Sequence, residues 1–263
     1  MQAYNDDFFG EQRDGSRASA LEAVPLILHM LGPGRPQRVL DVGCGVGAWL
    51  AAFWEQGVRD VWGVDGDYVD RQALLVPPNR FSVHDLATPF RPDAIYDLVV
   101  CLEVGEHLPP ERAEGFVEDL TRLGPVVLFS AAVPGQGGVA HVHERWPDYW
   151  AGLFKERGYR AVDCLRRRLW DNPRVRWWYA QNMLLYVRED RLGDYPQLGP
   201  ELQYEGVLPL RLVHPGMYAG LRYFTDPQTM GMSAAIGSVR SALAAACGRR
   251  WHRLNGAAGA AAC

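Results

Sequence analysis

The sequence predicts an α/β fold built on a doubly wound, mostly parallel seven-stranded sheet whose last strand runs antiparallel. Three observations predict it. Short runs that are apolar throughout alternate with helical patterns, as expected of parallel strands covered on both faces. A glycine-rich turn follows the first strand and leads into a helix. The two final strand-like runs are joined by a segment too long for a tight turn, and they read as an antiparallel edge of the same sheet.

The elements follow in order. Residues 1–15 are polar and aperiodic and read as an N-terminal arm. Leu21, Val24, Leu28 and Leu31 fall at helical spacing behind Ser16, a capping residue type, and Gly32-Pro33-Gly34 ends that helix. Then come RVLDV (38–42), a helix over 46–56, DVWGV (60–64), a short helix near 67–75 and RFSVH (80–84). AIYDLVVCLE (94–103), a helix over 110–122, PVVLFS (125–130) and a helix over 146–157 continue the alternation. YRAVDCL (159–165) and NMLLYV (182–187) close a domain spanning 16–188. Beyond it, residues 189–263 read as a C-terminal extension, with a basic, partly helical and flexible tail from 227 that ends in Gly-Ala low complexity.

A chain of 263 residues, 48% of them hydrophobic, can bury the core of one such domain with length to spare. The formal net charge of -4 gives no global positive field for nucleic acid or an anionic membrane. No apolar run reaches the ~18 residues of a membrane helix. The five cysteines (Cys44, Cys101, Cys164, Cys247, Cys263) form no CxxC pair, and the N-terminus lacks a signal pattern. A cytoplasmic setting is the expectation; nothing in the sequence speaks to the oligomeric state.

Asp41, Gly43, Gly45 and Gly47 form the turn after the first strand. Glycines there let the backbone turn sharply and approach a ligand without Cβ interference. Asp65 ends the second strand, where a carboxylate can accept hydrogen bonds from ribose hydroxyls, and Asp85 follows the third at the same edge, suited to an exocyclic amine. The spacing is GxGxG, and Asp41 would repel a pyrophosphate but suit a cationic amino-acid group. That disfavours a nicotinamide oxidoreductase.

LDVGCGVGAWL, VWGVDGDYVD, FSVHDL and YDLVVCLEVGEHLPPE, over about residues 36–187, resemble in order and spacing successive motifs of the class I S-adenosylmethionine-dependent methyltransferases. The resemblance implies a class I methyltransferase-like sheet and S-adenosyl-L-methionine as cofactor. It implies that Asp41, Gly43, Gly45 and Gly47 hold the methionyl part, Asp65 the ribose, and Asp85 with Leu86 the adenine. Cys101 to Glu103 would line the methyl side.

Methyl transfer to a hydroxyl or ammonium also needs an aligned nucleophile and a proton acceptor. Glu103, Glu106 and His107 follow the fourth strand, and His141, His143 and Glu144 lie in a long glycine-rich loop after the fifth, placed as a lid. One reading makes His107 or His141 a general base, with Glu106 beside them. A second gives the Glu and His side chains a divalent metal such as Mg²⁺ or Mn²⁺. ExxEH followed by a His-rich loop resembles the metal-binding pattern of small-RNA 3′-terminal ribose 2′-O-methyltransferases, which implies Glu103, Glu106, His107 and either His141 or His143 as ligands. A third leaves these side chains structural.

Arg166, Arg167, Arg168, Arg174 and Arg176 are interleaved with Trp170, Trp177 and Trp178. Such a cluster either stacks on an anionic or planar acceptor, RNA included, or is an edge where arginine stems cover tryptophan rings; the second is the expectation. The leading function is methylation of an oxygen on a small-molecule acceptor, a sugar or secondary metabolite, with no membrane partner. An RNA ribose 2′-O-methyltransferase and a non-catalytic nucleotide-binding module are the alternatives.

Overall fold

Seven strands form one sheet: β1 (Arg38–Val42), β2 (Asp60–Asp65), β3 (Phe81–Val83), β4 (Leu98–Leu102), β5 (Val126–Ser130), β6 (Tyr159–Val162) and β7 (Leu184–Arg188). Their order is β3-β2-β1-β4-β5-β7-β6, and β7 runs antiparallel to both neighbours while the other pairs are parallel. The structure, a computed structural model, describes residues 6–32, 36–204, 206, 209–225 and 236.

Helices cover both faces because successive strand residues point to opposite sides. Val39, Leu98, Val100, Val126 and Leu128 enter one core with α1 (Asp6–Leu31) and α2 (Ala48–Glu55). Their sequence neighbours Leu40, Val99, Val127 and Phe129 enter the other with α3 (Ala113–Leu123) and α4 (Pro147–Lys155). Each large apolar side chain so buried contributes about 1.5–3 kcal/mol. Phe129 is packed edge-on or tilted against Trp150, Phe154 and Tyr186 at centroid distances of 5.1, 5.5 and 6.1 Å.

Three local expectations are revised. The first helix begins at Asp6, not near Ser16. The Ser16 hydroxyl meets the Tyr179 hydroxyl at 2.9 Å instead of capping, and Ser19 bonds back to the Gly15 carbonyl, so the backbone is helical well upstream. β4 starts at Leu98, four residues later than the apolar run suggests; Asp97 turns aside to accept the backbone N–H groups of Gln37 and Arg38 at 2.8 and 2.9 Å. The connection between β6 and β7 holds two short helices, α5 (Arg166–Leu169) and α6 (Trp177–Asn182).

The sheet unit runs through His214, and Pro215 to Cys263 form a second unit. Residues 189–214 include α7 (Gly199–Leu202), and Arg166 donates to the carbonyls of Leu210 and Pro209 at 2.7 and 3.4 Å. In the second unit α8 spans Pro215–Thr225. The expected basic, flexible tail lies outside the described residues, residue 236 apart. Among the described residues no helix is long and apolar enough to cross a membrane.

β1 lies between β2 and β4, so the winding direction reverses between β1 and β4. In such sheets ligands bind beyond the carboxyl ends of the strands at that reversal.

Candidate active site at the carboxyl edge of the sheet

The glycine turn occupies this reversal point. Gly43, Gly45 and Gly47 take positive φ of 82°, 51° and 82°, a region that costs other residues about 1–2 kcal/mol. A Cβ on Gly43 would lie 2.3 Å from Val104 Cγ2, whereas one on Gly45 would meet nothing within 4 Å: the second glycine borders open space. Gly43 and Cys44 donate backbone N–H groups to the Val64 carbonyl at 2.8 and 3.3 Å, tying the turn to the end of β2.

Asp65 ends β2, and Asp41 is the last residue but one of the adjacent β1, paired with Gly63. Asp65 Oδ2 accepts the Gly45 N–H at 2.6 Å, and Oδ1 accepts the Gly66 N–H at 2.7 Å and the Tyr68 hydroxyl. Asp41 is 3% exposed, and its Oδ2 is buried with no hydrogen-bond partner. Burial, and then the Asp65 charge, push the Asp41 carboxyl well above the usual carboxylate range. A buried partnerless carboxylate beside an open glycine suits a ligand's amino group, which would supply both the charge and the hydrogen bond that it lacks. Asp85 is exposed and turned on its own loop, accepting the Ala87 N–H at 3.0 Å, with Leu86 buried behind it.

β4 delivers the second group of residues. Cys101 is fully buried, and its thiol is pushed well up by burial and then by the charges of Asp41, Glu106 and Asp65. Glu103 has a left-handed backbone, φ 55°, a strain of about 1–3 kcal/mol of the kind found at functional sites. The strain is held in place. Its N–H donates to the Ser130 carbonyl and hydroxyl at 3.0 and 3.1 Å, Oε2 accepts Gln136 Nε2 at 2.7 Å, and Oε1 accepts Asn182 Nδ2 at 3.1 Å.

Glu106 is 0% exposed, and neither carboxylate oxygen has a hydrogen-bond partner. Burial, with Glu103 next, pushes it well above the carboxylate range. A ligand atom of Glu106, His107 and His141 each lies within 4.8 Å of the others, and the two imidazoles meet edge to face at 4.9 Å. Partial burial of its ring, and then His141, hold His107 below the usual imidazole range.

The loop after β5 is clamped by its own acid. Glu144 Oε1 meets His141 Nδ1 at 3.0 Å and the Gly137 N–H at 2.8 Å, and Oε2 accepts the Gly135 N–H at 2.7 Å. Val142 and His143 donate their N–H groups to the Glu106 carbonyl at 2.9 and 3.0 Å, stitching the loop to the end of β4.

The sequence-derived ligand set therefore divides. Glu106, His107 and His141 converge, but Glu103 and His143 do not join them. Glu103 is occupied by two amides, and His143 is buried against Tyr149 and Trp150 with Nε2 accepting from Arg145 Nε at 3.0 Å. Sequence reading missed Gln136, Asn182 and the specific part of Glu144. Only Glu144 left a trace, as a carboxylate three residues after a histidine.

In the Arg/Trp segment Arg166 is turned inward, while Arg167, Arg168, Arg174 and Arg176 stay exposed. Arg166, 1% exposed, pairs with Asp163 at 2.6 Å; Arg167 and Arg168 both pair with Glu201, at 2.5 and 2.8 Å; Arg174 pairs with Glu22 at 3.0 Å. Arg176 lies over the Trp178 ring. Three acids, Asp163, Glu201 and Glu22, face four of the five arginines, which weakens the field that an RNA backbone would meet.

The chain is similar to known proteins. The chain is 33% identical over 101 residues to the 2-methyl-6-phytyl-1,4-hydroquinone methyltransferase of Synechocystis sp., a match covering 36% of this chain and 30% of that one. It is 31% identical over 90 residues to the ubiquinone biosynthesis O-methyltransferase of Rickettsia typhi, covering 32% and 35%. The matches thus span about a third of the length of these relatives. In fold it is similar to SAM-bound CalS10, an amino pentose methyltransferase from Micromonospora echinaspora, with a TM-score of 0.51 at 17% identity over 72% of this chain and 99% of that one. Residues 12–151, more than half of the chain, match the family model described as a methyltransferase domain, and the chain belongs to that family, the class I S-adenosylmethionine-dependent methyltransferases.

Proposed function

We propose that this chain transfers a methyl group from S-adenosylmethionine to a hydroxyl oxygen of a small-molecule acceptor. The observation that carries this is a juxtaposition: the partnerless Asp41 carboxylate lies beside the open glycine turn, and Glu106 with two imidazoles lies at the next strand end. Both named relatives are small-molecule methyltransferases, one of a phytyl hydroquinone and one of ubiquinone biosynthesis.

When bound, S-adenosylmethionine supplies an electrophilic methyl on a cationic sulfur. Asp41 holds the amino group of its methionyl part, and Gly43, Gly45 and Gly47 let the backbone approach it. Asp65 accepts from ribose hydroxyls, taking over the place that the Tyr68 hydroxyl fills. Asp85 and Leu86 border the adenine, and Cys101 and Glu103 line the methyl side. On the acceptor side, the His107–His141 pair takes the hydroxyl proton as oxygen attacks. His107, held below the imidazole range, stays neutral and ready to accept near pH 7.

A second reading, a divalent cation at Glu106, His107 and His141, is favoured by the 4.8 Å cluster and the partnerless buried Glu106 oxygens. In that case the cation would polarise the acceptor hydroxyl. Chelated protein supplied with methyl-labelled S-adenosylmethionine and a panel of hydroquinones, catechols and sugars tests both. The expected result is transfer without added metal, with kcat lowered about 10²–10⁴-fold in His107→Ala/His141→Ala. Transfer that requires Mn²⁺ or Mg²⁺ selects the second reading, and full turnover by the double variant overturns the base assignment.

A further inference from the structure

The loop after β5 contains a carboxylate whose hydrogen bonds select one form of the site's imidazole. We propose that Glu144 is a positioning residue that locks His141 in its Nδ1–H tautomer and thereby presents the Nε2 lone pair to the acceptor site. This deepens the function proposed above and rests on it.

The case begins with counting donors. The Glu144 carboxylate takes the backbone N–H groups of Gly135 and Gly137, one on each oxygen, before it meets His141. Two backbone bonds on a loop with two further ties to the Glu106 carbonyl leave the carboxylate little freedom to rotate. A carboxylate held in this way is an acceptor only, so the atom of His141 that meets it at 3.0 Å, Nδ1, must carry the hydrogen. In a neutral imidazole the other nitrogen then holds a lone pair.

Two more observations place the ring. A Cβ on Gly138 would lie 2.2 Å from His141 Nε2, so the ring packs directly against that bare glycine and any side chain there would displace it. The ring also faces His107 edge-on at 4.9 Å, within the group that includes the partnerless Glu106. The same fixed tautomer would serve a cation, since histidine ligands commonly donate their second N–H to a carboxylate. Glu144 thus acts through His141 and not on the acceptor itself.

His143, the other histidine of the loop, is held differently. His143 uses Nε2 to accept from Arg145, and its Nδ1 is buried without a partner, which leaves no lone pair to offer. Among the described residues, the hydrogen-bonded carboxylate partner belongs to His141.

The test is the imidazole ¹H–¹⁵N spectrum of the full chain labelled at histidine side chains, with His141 assigned by its loss in His141→Asn. At a pH where the ring is neutral, wild type is expected to show the hydrogen on Nδ1 and an unprotonated Nε2. In Glu144→Gln, whose amide cannot accept all three donors, that Nδ1–H signal is expected to be lost in favour of Nε2–H or an average of the two. Wild type with the hydrogen on Nε2, or a Glu144→Gln spectrum identical to wild type, overturns the proposal. The wild-type spectrum decides even if the variant does not fold. A loop clamp without a role for His141 would leave the tautomer unchanged. Titration with S-adenosylhomocysteine on the same sample reads the cofactor site separately, so failure of methyl transfer and failure of this pairing are distinguishable.

Discussion

At the scale of single residues, the site is a concentration of carboxylates that the fold has stripped of water. Asp41 illustrates the consequence. Its folded pKa is raised, by burial first and by Asp65 second, so the folded chain holds that proton more tightly than the unfolded chain. The sign follows: stability without ligand falls as pH climbs from the ordinary carboxylate range through the raised value. Binding a cationic amine needs the ionised form, so affinity for S-adenosylhomocysteine should rise with pH across the same window. In Asp41→Asn the calorimetric affinity should be weaker and its slope with pH flattened; an unchanged slope would mean that Asp41 does not face the amino group. Asp41 and Asp65 were legible in the sequence because a strand end and a glycine turn fix their place by local chemistry. Gln136, Asn182 and the task of Glu144 were not, because each depends on a loop or helix far along the chain folding back to meet the end of β4.

At the scale of elements, alternating apolar runs specified the parallel strands, and the pairs Val39/Leu40 and Val99/Val100 show why: one residue of each enters each core. The misread stretches lack that support. Between β6 and β7 the periodicity is hidden because arginine and tryptophan serve both as solvated and as buried residues, and α5 forms around a cation. Arg166 is almost fully buried, bonded to Asp163 and to the carbonyls of Leu210 and Gln181, at 2.6, 2.7 and 3.3 Å. Removing one member of a buried ion pair strands the rest, at a typical cost of about 3–5 kcal/mol. Arg166→Ala should therefore lower stability by about that amount in urea unfolding, whereas Arg174→Ala, whose arginine is exposed, should cost under about 1 kcal/mol. Equal effects would place the segment's stability elsewhere. The N-terminal helix was half legible: its apolar face from Leu21 is plain, but Ser16 looks like a cap only until Tyr179 is known to lie against it.

For the whole molecule, the reversal of strand order between β1 and β4 gathers a glycine turn, an acidic β2 terminus, a strained β4 terminus and a clamped loop at one edge of the sheet. The formal net charge is -4, and four of the five arginines that hinted at RNA face acids of the chain. This organisation makes cofactor binding the central claim, and the most direct measurement is calorimetric titration of the full chain with S-adenosylhomocysteine, repeated on Asp65→Ala and with NAD as competitor. Micromolar binding by the wild type, weakened at least about tenfold in a variant with native circular dichroism and indifferent to NAD, is the predicted result. Absence of binding, or preference for NAD, would contradict the account.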